Sequence, residues 1–139
     1  REGGEILYGG KRPSLESPFD EGSFLEPTIV SNLDYQSRTA TEEIFGPVVT
    51  LHKFEKDEDA VEMANCTEYG LAGSVWTSDS ARGKSLAEKM ETGMVWINTW
   101  LHRDLRVPFG GVKNSGVGTE GGRWSLSFFS QPVNICVKE

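Results

Sequence analysis

An acid, an aromatic ring and a Gly-Pro break lie within one short stretch, residues 41–49, T-E-E-I-F-G-P-V-V. A carboxylate accepts hydrogen bonds from a pair of sugar hydroxyls, and a ring two residues on covers a flat group, so Glu43 and Phe45 suit a sugar-bearing ligand. The plainer reading is that Glu42 and Glu43 are solvated and Phe45 is core, and on these residues alone it comes first. A second candidate lies at 99–107, where Trp100, His102, Arg103, Asp104 and Arg106 crowd one loop. A guanidinium offers two parallel donors to a carboxylate and stays charged when partly desolvated, so Arg103 and Arg106 suit an anionic group. Pairing with Asp104, or a solvated loop, competes with that assignment and stands slightly ahead of it.

Two further patterns are decoys. Residues 116–121, G-V-G-T-E-G, match the dinucleotide fingerprint G-x-G-x-x-G. That fingerprint needs a strand directly before it and a long helix after it. A glycine-rich loop precedes this copy and fewer than twenty residues follow it, so a flexible turn is expected. Cys66 is placed near the end of a helix and beside Glu68, where the local field opposes the negative charge of a nucleophilic sulfur. Cys136 falls near the end of the chain, with Lys138 its neighbour in sequence only. Both cysteines read as structural, and neither makes a metal-ligand spacing with His52 or His102.

The elements that must position these residues follow an α/β rhythm. Short strands are expected at 5–8 and, with Pro27 marking an edge or bulge, at 24–30, joined by a loop over 11–22. The Gly-Pro turn feeds a half-buried strand at 47–54, which puts Glu43 and Phe45 on a loop at its mouth, where α/β folds gather ligands. Asp57, Glu58 and Asp59 suit a helix N-terminus, with Ala60, Val61, Met63 and Ala64 as its apolar face. A strand at 71–76, a helix at 80–91 capped from Ser78, Asp79 or Ser80, and a buried strand at 94–98 come next. Leu86, Ala87 and Met90 form the helix stripe, and Gly93 stands where a C′ glycine belongs. A short helix is expected at 123–129 and a last strand at 133–137, which either closes the sheet or is lent to a neighbour by edge pairing. Helices alternating with apolar strands predict an α/β fold with a largely parallel sheet and flanking helices.

Composition sets the outer bounds. At 139 residues the chain can bury a core, and 37% apolar content with four Trp and seven Phe is unlike a disordered sequence. A net charge of −7 argues against nucleic acid or an anionic membrane surface as partner. No apolar run reaches the length of a membrane span, and a reducing cytoplasmic setting is expected. The opening R-E-G-G-E-I-L-Y-G-G lacks Met and reads as a helix end running into a strand, which points to a fragment.

Four motifs are then specific in combination: E-E-I-F-G-P-V-V at 42–49, A-N-C-T-E-Y-G-L-A-G at 64–73, M-V-W-I-N at 94–98 and P-F-G-G-V-K-N-S-G-V-G-T-E at 108–120. In order and spacing they resemble the aldehyde dehydrogenase superfamily across essentially the whole chain. H-R-D-L-R-V-P-F-G-G and the ending S-L-S-F-F-S-Q-P-V-N-I-C-V-K-E are most similar to the 2-aminomuconic and 2-hydroxymuconic semialdehyde dehydrogenases. The resemblance implies the C-terminal portion of an enzyme that oxidises aldehydes with NAD, NADP not excluded. In such enzymes a Cys thiolate attacks the carbonyl, hydride leaves to the nicotinamide, and a Glu-activated water hydrolyses the thioester.

By position, Glu43 matches the acid that hydrogen-bonds the nicotinamide ribose, Phe45 the ring beside the nicotinamide, and Leu71 an apolar residue of that cleft. Phe109 matches an aromatic wall of the substrate tunnel, and Arg103 the arginine that holds a substrate carboxylate, which reverses the balance left open above. The resemblance divides the chain into part of the catalytic domain, 1–130, and an oligomerisation strand, 131–139, of a homo-oligomer. The family's nucleophile and general base match no residue here, so an inactive fragment or a truncated assembly module is implied for the chain alone. No metal is implied.

Overall fold

The computed structural model describes residues 2–139. The chain divides into two compact units, Arg1–Thr67 and Glu68–Glu139.

The first unit holds β1 (Glu5–Tyr8), β2 (Thr28–Ser31), α1 (Arg38–Thr41), β3 (Val48–Leu51) and α2 (Asp57–Asn65). Its sheet runs β1-β2-β3, with β1 antiparallel to β2 and β2 parallel to β3. Thr28 fastens the centre. It is buried, its Oγ1 donates to the Glu26 carbonyl and accepts from Gly10 N, and its own N–H donates to the Pro47 carbonyl at 2.8 Å. Pro47 has no N–H to give the ladder but keeps an acceptor, so it stands just before β3 rather than within it. The strand is thus four residues long, shorter than the 47–54 that its pattern suggests. Along it exposure alternates, as expected of a half-buried strand.

The first turn of α2 carries Asp57, Glu58 and Asp59, and Asp59 Oδ2 accepts from Lys56 N at 3.3 Å. Of its expected face, Ala60, Val61 and Met63 are half-buried and Ala64 is exposed.

The second unit holds β4 (Tyr69–Gly70), β5 (Ala72–Val75), α3 (Ser80–Ala87), β6 (Met94–Ile97), β7 (Val112–Lys113) and α4 (Gly122–Phe128). β5 and β6 pair in parallel from Ala72↔Met94 to Val75↔Ile97, with α3 as the crossover between them. Asp79 caps α3, its Oδ1 accepting from Ala81 N and Arg82 N at 2.9 and 3.0 Å. Leu86 and Ala87 at the end of α3 are half-buried, and so is Met90, which lies three residues beyond the helix that was expected to reach Glu91. Trp96 is the buried hydrophobic residue of this unit. β4 and β7 pair antiparallel, and Gly70 N donates to Ser115 Oγ at 2.9 Å. Among the described residues the mixed α/β fold therefore contains two parallel and two antiparallel strand pairings.

One expectation needs correction. α3 ends at Ala87 with Glu88 as its C-cap, so Gly93 is not a C′ residue. A Cβ on Gly93 would lie 1.6 Å from the Gly110 carbonyl oxygen, so glycine is required there because two backbone segments cross. Residues 131–139 form no strand within this chain, and Val133, Ile135 and Val137 are each about four-fifths exposed. The alternation that suggests a strand is present, but the chain offers it no ladder partner.

Candidate active site

In the first unit the loop entering β3 separates the two acids. Glu42 is bound by Arg38, whose Nε lies 2.6 Å from Glu42 Oε2, and that pairing raises the Arg38 pKa. Glu43 makes no ion pair or side-chain hydrogen bond among the described residues, so its carboxylate has free acceptor capacity. It lines a pocket of about 530 Å³ with Ile6, Val30, Leu33 and Arg38.

Phe45 corrects the plainer reading outright. It is 91% exposed rather than core, and its φ of +53° lies in the left-handed region. For a bulky L-residue that conformation costs roughly 1–2 kcal/mol. The sequence therefore holds a large ring in water on a strained backbone, next to the Gly46-Pro47 break. Strain of this kind concentrates at ligand clamps and active sites.

The second unit builds the other candidate group from β6 outward. Trp96 Nε1 donates to the His102 carbonyl at 2.8 Å, and its ring meets Trp100 edge-on at 4.9 Å. These contacts fix the loop just before Arg103. On its far side Gly122 N donates to the Leu105 carbonyl at 3.1 Å. Phe109 and Glu120 form an antiparallel bridge, each N–H donating to the other's carbonyl at 2.8 Å. Arg103 then lies over the Phe109 ring, 4.1 Å from its centroid. At such a half-exposed site a cation–π contact contributes about 0.5–1 kcal/mol. Leu71, Phe109, Glu120 and Phe128 are among the residues lining a cavity of about 460 Å³ in this unit.

The two arginines of the loop now differ. Arg106 is committed: its backbone N and Nε reach Asp104 Oδ1 at 2.9 Å each, and its Nη2 reaches Oδ2 at 2.5 Å. Those bonds, side chain first and backbone second, hold the Asp104 carboxyl below its ordinary range. The sign follows from that direction. Whatever the pair adds to loop stability is present above the unfolded aspartate's pKa and is lost as pH falls through the depressed folded value. Arg103 instead has its face on Phe109 and no hydrogen-bond acceptor among the described residues, with Glu120 Oε1 3.8 Å from Nη2. Its donor fork remains available.

The expected residues thus fall into two groups, Glu43 with Phe45 in the first unit, and Leu71, Arg103 and Phe109 in the second. Glu120 is the residue that sequence reasoning missed. It lies in a glycine-rich turn, and only the bridge to Phe109 reveals what it faces. Cys66 is exposed, and its Sγ lies within hydrogen-bond distance of the Met63 and Tyr35 carbonyls, at 3.1 and 3.4 Å. Glycines 118 and 121 have φ of +86° and +96° and α4 spans seven residues, in keeping with a turn and not a dinucleotide fingerprint. Among the described residues no cluster of His, Cys, Asp or Glu could hold a metal ion, and no helix is long and apolar enough to cross a membrane.

Short strands with helical crossovers, and loops presenting an acid, a ring and an arginine, define a protein of the α/β class. The sequence pattern of the aldehyde dehydrogenase family matches residues 1–135, and the chain belongs to that family. It is 44% identical over 137 residues to a 2-hydroxymuconic semialdehyde dehydrogenase of Pseudomonas sp. (strain CF600), covering 99% of this chain and 28% of that protein. It is 42% identical over 139 residues to a human 2-aminomuconic semialdehyde dehydrogenase, again covering 99% of this chain and 28% of that protein. Among solved structures it is similar to a betaine aldehyde dehydrogenase from Staphylococcus aureus in complex with NAD+, with a TM-score of 0.84 and 39% identity over 99% of this chain and 29% of that one. The chain therefore spans between a quarter and a third of the length of the relatives it matches.

Proposed function

We propose that the chain supplies the nicotinamide-ribose contact and the substrate-carboxylate contact of an enzyme that oxidises a carboxylate-bearing, muconic-type semialdehyde with NAD or NADP. The observation that carries the substrate class is Arg103, a guanidinium laid on an aromatic wall with its donors uncommitted, beside an arginine whose donors are spent on Asp104. A carboxylate matches that fork in shape and charge. The relatives' names point to substrates of the same chemistry.

On the cofactor side, the fit rests on Glu43 and Phe45. A carboxylate with free acceptor capacity suits a ribose hydroxyl pair, and an exposed ring held at positive φ suits a planar heterocycle. When bound, the nicotinamide supplies the hydride acceptor. Glu43 would hold the ribose hydroxyls and Phe45 would lie beside the nicotinamide, and the family resemblance adds Leu71 as an apolar residue of the cofactor cleft. Glu43→Gln in the full-length enzyme is expected to raise the KM for NAD, or lower the rate of hydride transfer, about tenfold. That is the low end of the 1.5–3 kcal/mol range for a hydrogen bond to a charged group. Unchanged steady-state kinetics would remove Glu43 from the site.

Neither cysteine matches the family's nucleophile by position, so the isolated chain is expected to show no NAD-dependent aldehyde oxidation. Measurable turnover by the purified chain would overturn that account. A second reading, a non-catalytic assembly module, is favoured by the exposed alternation of Val133, Ile135 and Val137. Such a strand pairs with a sheet edge of another subunit. Size and activity measurements on the parent enzyme truncated after residue 130 separate the two: unchanged assembly removes the assembly-module reading, and dissociation of the subunits supports it.

A further inference from the structure

The C-terminal end of α2 meets the segment leading to Glu43 at three places. Tyr35 OH donates to Glu62 Oε1 at 2.8 Å, and Cys66 Sγ lies 3.4 Å from the Tyr35 carbonyl oxygen. One residue further on, Thr67 Oγ1 donates to the Thr41 carbonyl at 3.2 Å. Thr41 is the last residue of α1, and Glu42 is already extended at φ −92° and ψ 149°, so no continuing helix supplies a donor to that carbonyl. A helix of four residues does not hold its own end in place. Thr67 is half-buried and 26 positions away in sequence, so its hydroxyl ties the end of α1 to another element of the same unit. Glu43, two residues on, has no side-chain partner among the described residues, and its place depends on the backbone that Thr67 fastens.

We infer that Thr67 is a positioning residue for the cofactor side of the site: by holding the peptide after Thr41, its hydroxyl sets where the Glu43 carboxylate stands. The inference rests on Glu43 being the nicotinamide-ribose contact. Thr67 touches no ligand and acts through Glu43. Its bond orients the peptide plane between Thr41 and Glu42, the joint at which the chain leaves helical geometry. Other ties fall short of that joint. Tyr35 fastens the start of the segment, and Thr39 N, donating to Glu2 Oε2 at 3.1 Å, its middle. The Arg38–Glu42 pair lies within the segment and adds no tie outward. Without the Thr67 hydroxyl the Thr41 carbonyl turns to water and the loop samples more positions. The fraction that holds Glu43 ready for a ribose falls, and the apparent affinity for NAD falls with it.

The test is Thr67→Val in the full-length enzyme, which keeps the branched shape and removes the hydroxyl, with Thr67→Ser as the conservative variant. Thr67→Val is expected to worsen the NAD parameter that Glu43→Gln moves, KM or the rate of hydride transfer, by roughly two- to fivefold, the effect of one hydrogen bond. KM for the aldehyde stays unchanged, and Thr67→Ser restores the NAD parameter. In a Glu43→Ala background Thr67→Val has no further effect, because the side chain it positions is gone, whereas a general structural role adds its cost in both backgrounds. An effect as large in that background as alone, equal losses for NAD and aldehyde, or a Thr67→Ser enzyme as impaired as Thr67→Val overturns the inference. So do unchanged NAD kinetics in Thr67→Val while Glu43→Gln is impaired, and the ribose reading then survives. Unchanged kinetics in Glu43→Gln remove the ribose reading and this inference with it.

Discussion

Arg103→Ala in the full-length enzyme is expected to raise KM for a carboxylate-bearing semialdehyde between tenfold and about a hundredfold, and to leave propanal nearly unaffected. The size follows from losing charge-assisted bonds worth roughly 1.5–3 kcal/mol, each 1.36 kcal/mol being a factor of ten. The split between substrates follows from geometry. Arg103 contributes its face to Phe109 and its donors meet no hydrogen-bond acceptor among the described residues, so in the proposed role only a substrate with matching acceptors loses by its removal. Because the interaction is the same in ground and transition states, the loss falls on KM with kcat largely retained. Arg103→Lys should recover part of it, since an ammonium keeps the charge and loses the planar fork. Equal changes for both aldehydes would show that Arg103 only supports the loop.

Gly93→Ala should be the most damaging small substitution in the chain. The added methyl would lie 1.6 Å from the Gly110 carbonyl oxygen and 2.7 Å from its carbon, and both are backbone atoms that no rotamer change can move. The segment is held on its other side, where Gly93 N donates to the Gly70 carbonyl at 3.1 Å. A cost of about 3 kcal/mol or more is expected, at the upper end of overpacking effects. The fall in the urea midpoint of the full-length enzyme measures it. Gly118→Ala is the control. Its φ is +86° but nothing lies within 4 Å of the new methyl, so only the conformational cost of about 1–2 kcal/mol applies. A Gly93→Ala midpoint no lower than that of Gly118→Ala would show that the two backbone segments can separate freely.

Much of the local structure was legible beforehand because its causes are local. Asp79 caps α3 because a carboxylate two and three residues before free N–H groups can reach them without help from the rest of the chain. The strands at Glu5–Tyr8 and Met94–Ile97 are apolar runs between turn residues. Gly93 was misread for the complementary reason. A glycine near a helix end has a ready local explanation, and the backbone segment it crosses, at Gly110, lies seventeen positions away. The terminal segment shows the same limit. Alternation makes a strand possible, and a partner makes it real.

The sequence by itself determined the α/β order, the four family motifs, and the types of residue available for chemistry: two adjacent acids, two nearby arginines, and a ring beside a Gly-Pro turn. The tertiary structure decided between members of each pair. Arg38 occupies Glu42 and leaves Glu43 available, Asp104 occupies Arg106 and leaves Arg103 available, and a positive φ holds Phe45 in solvent. It also set Glu120 opposite Arg103 through a backbone bridge. The physical reason is that residue type fixes what a side chain can bind, whereas only neighbours brought together by folding fix which of its donors and acceptors are already used.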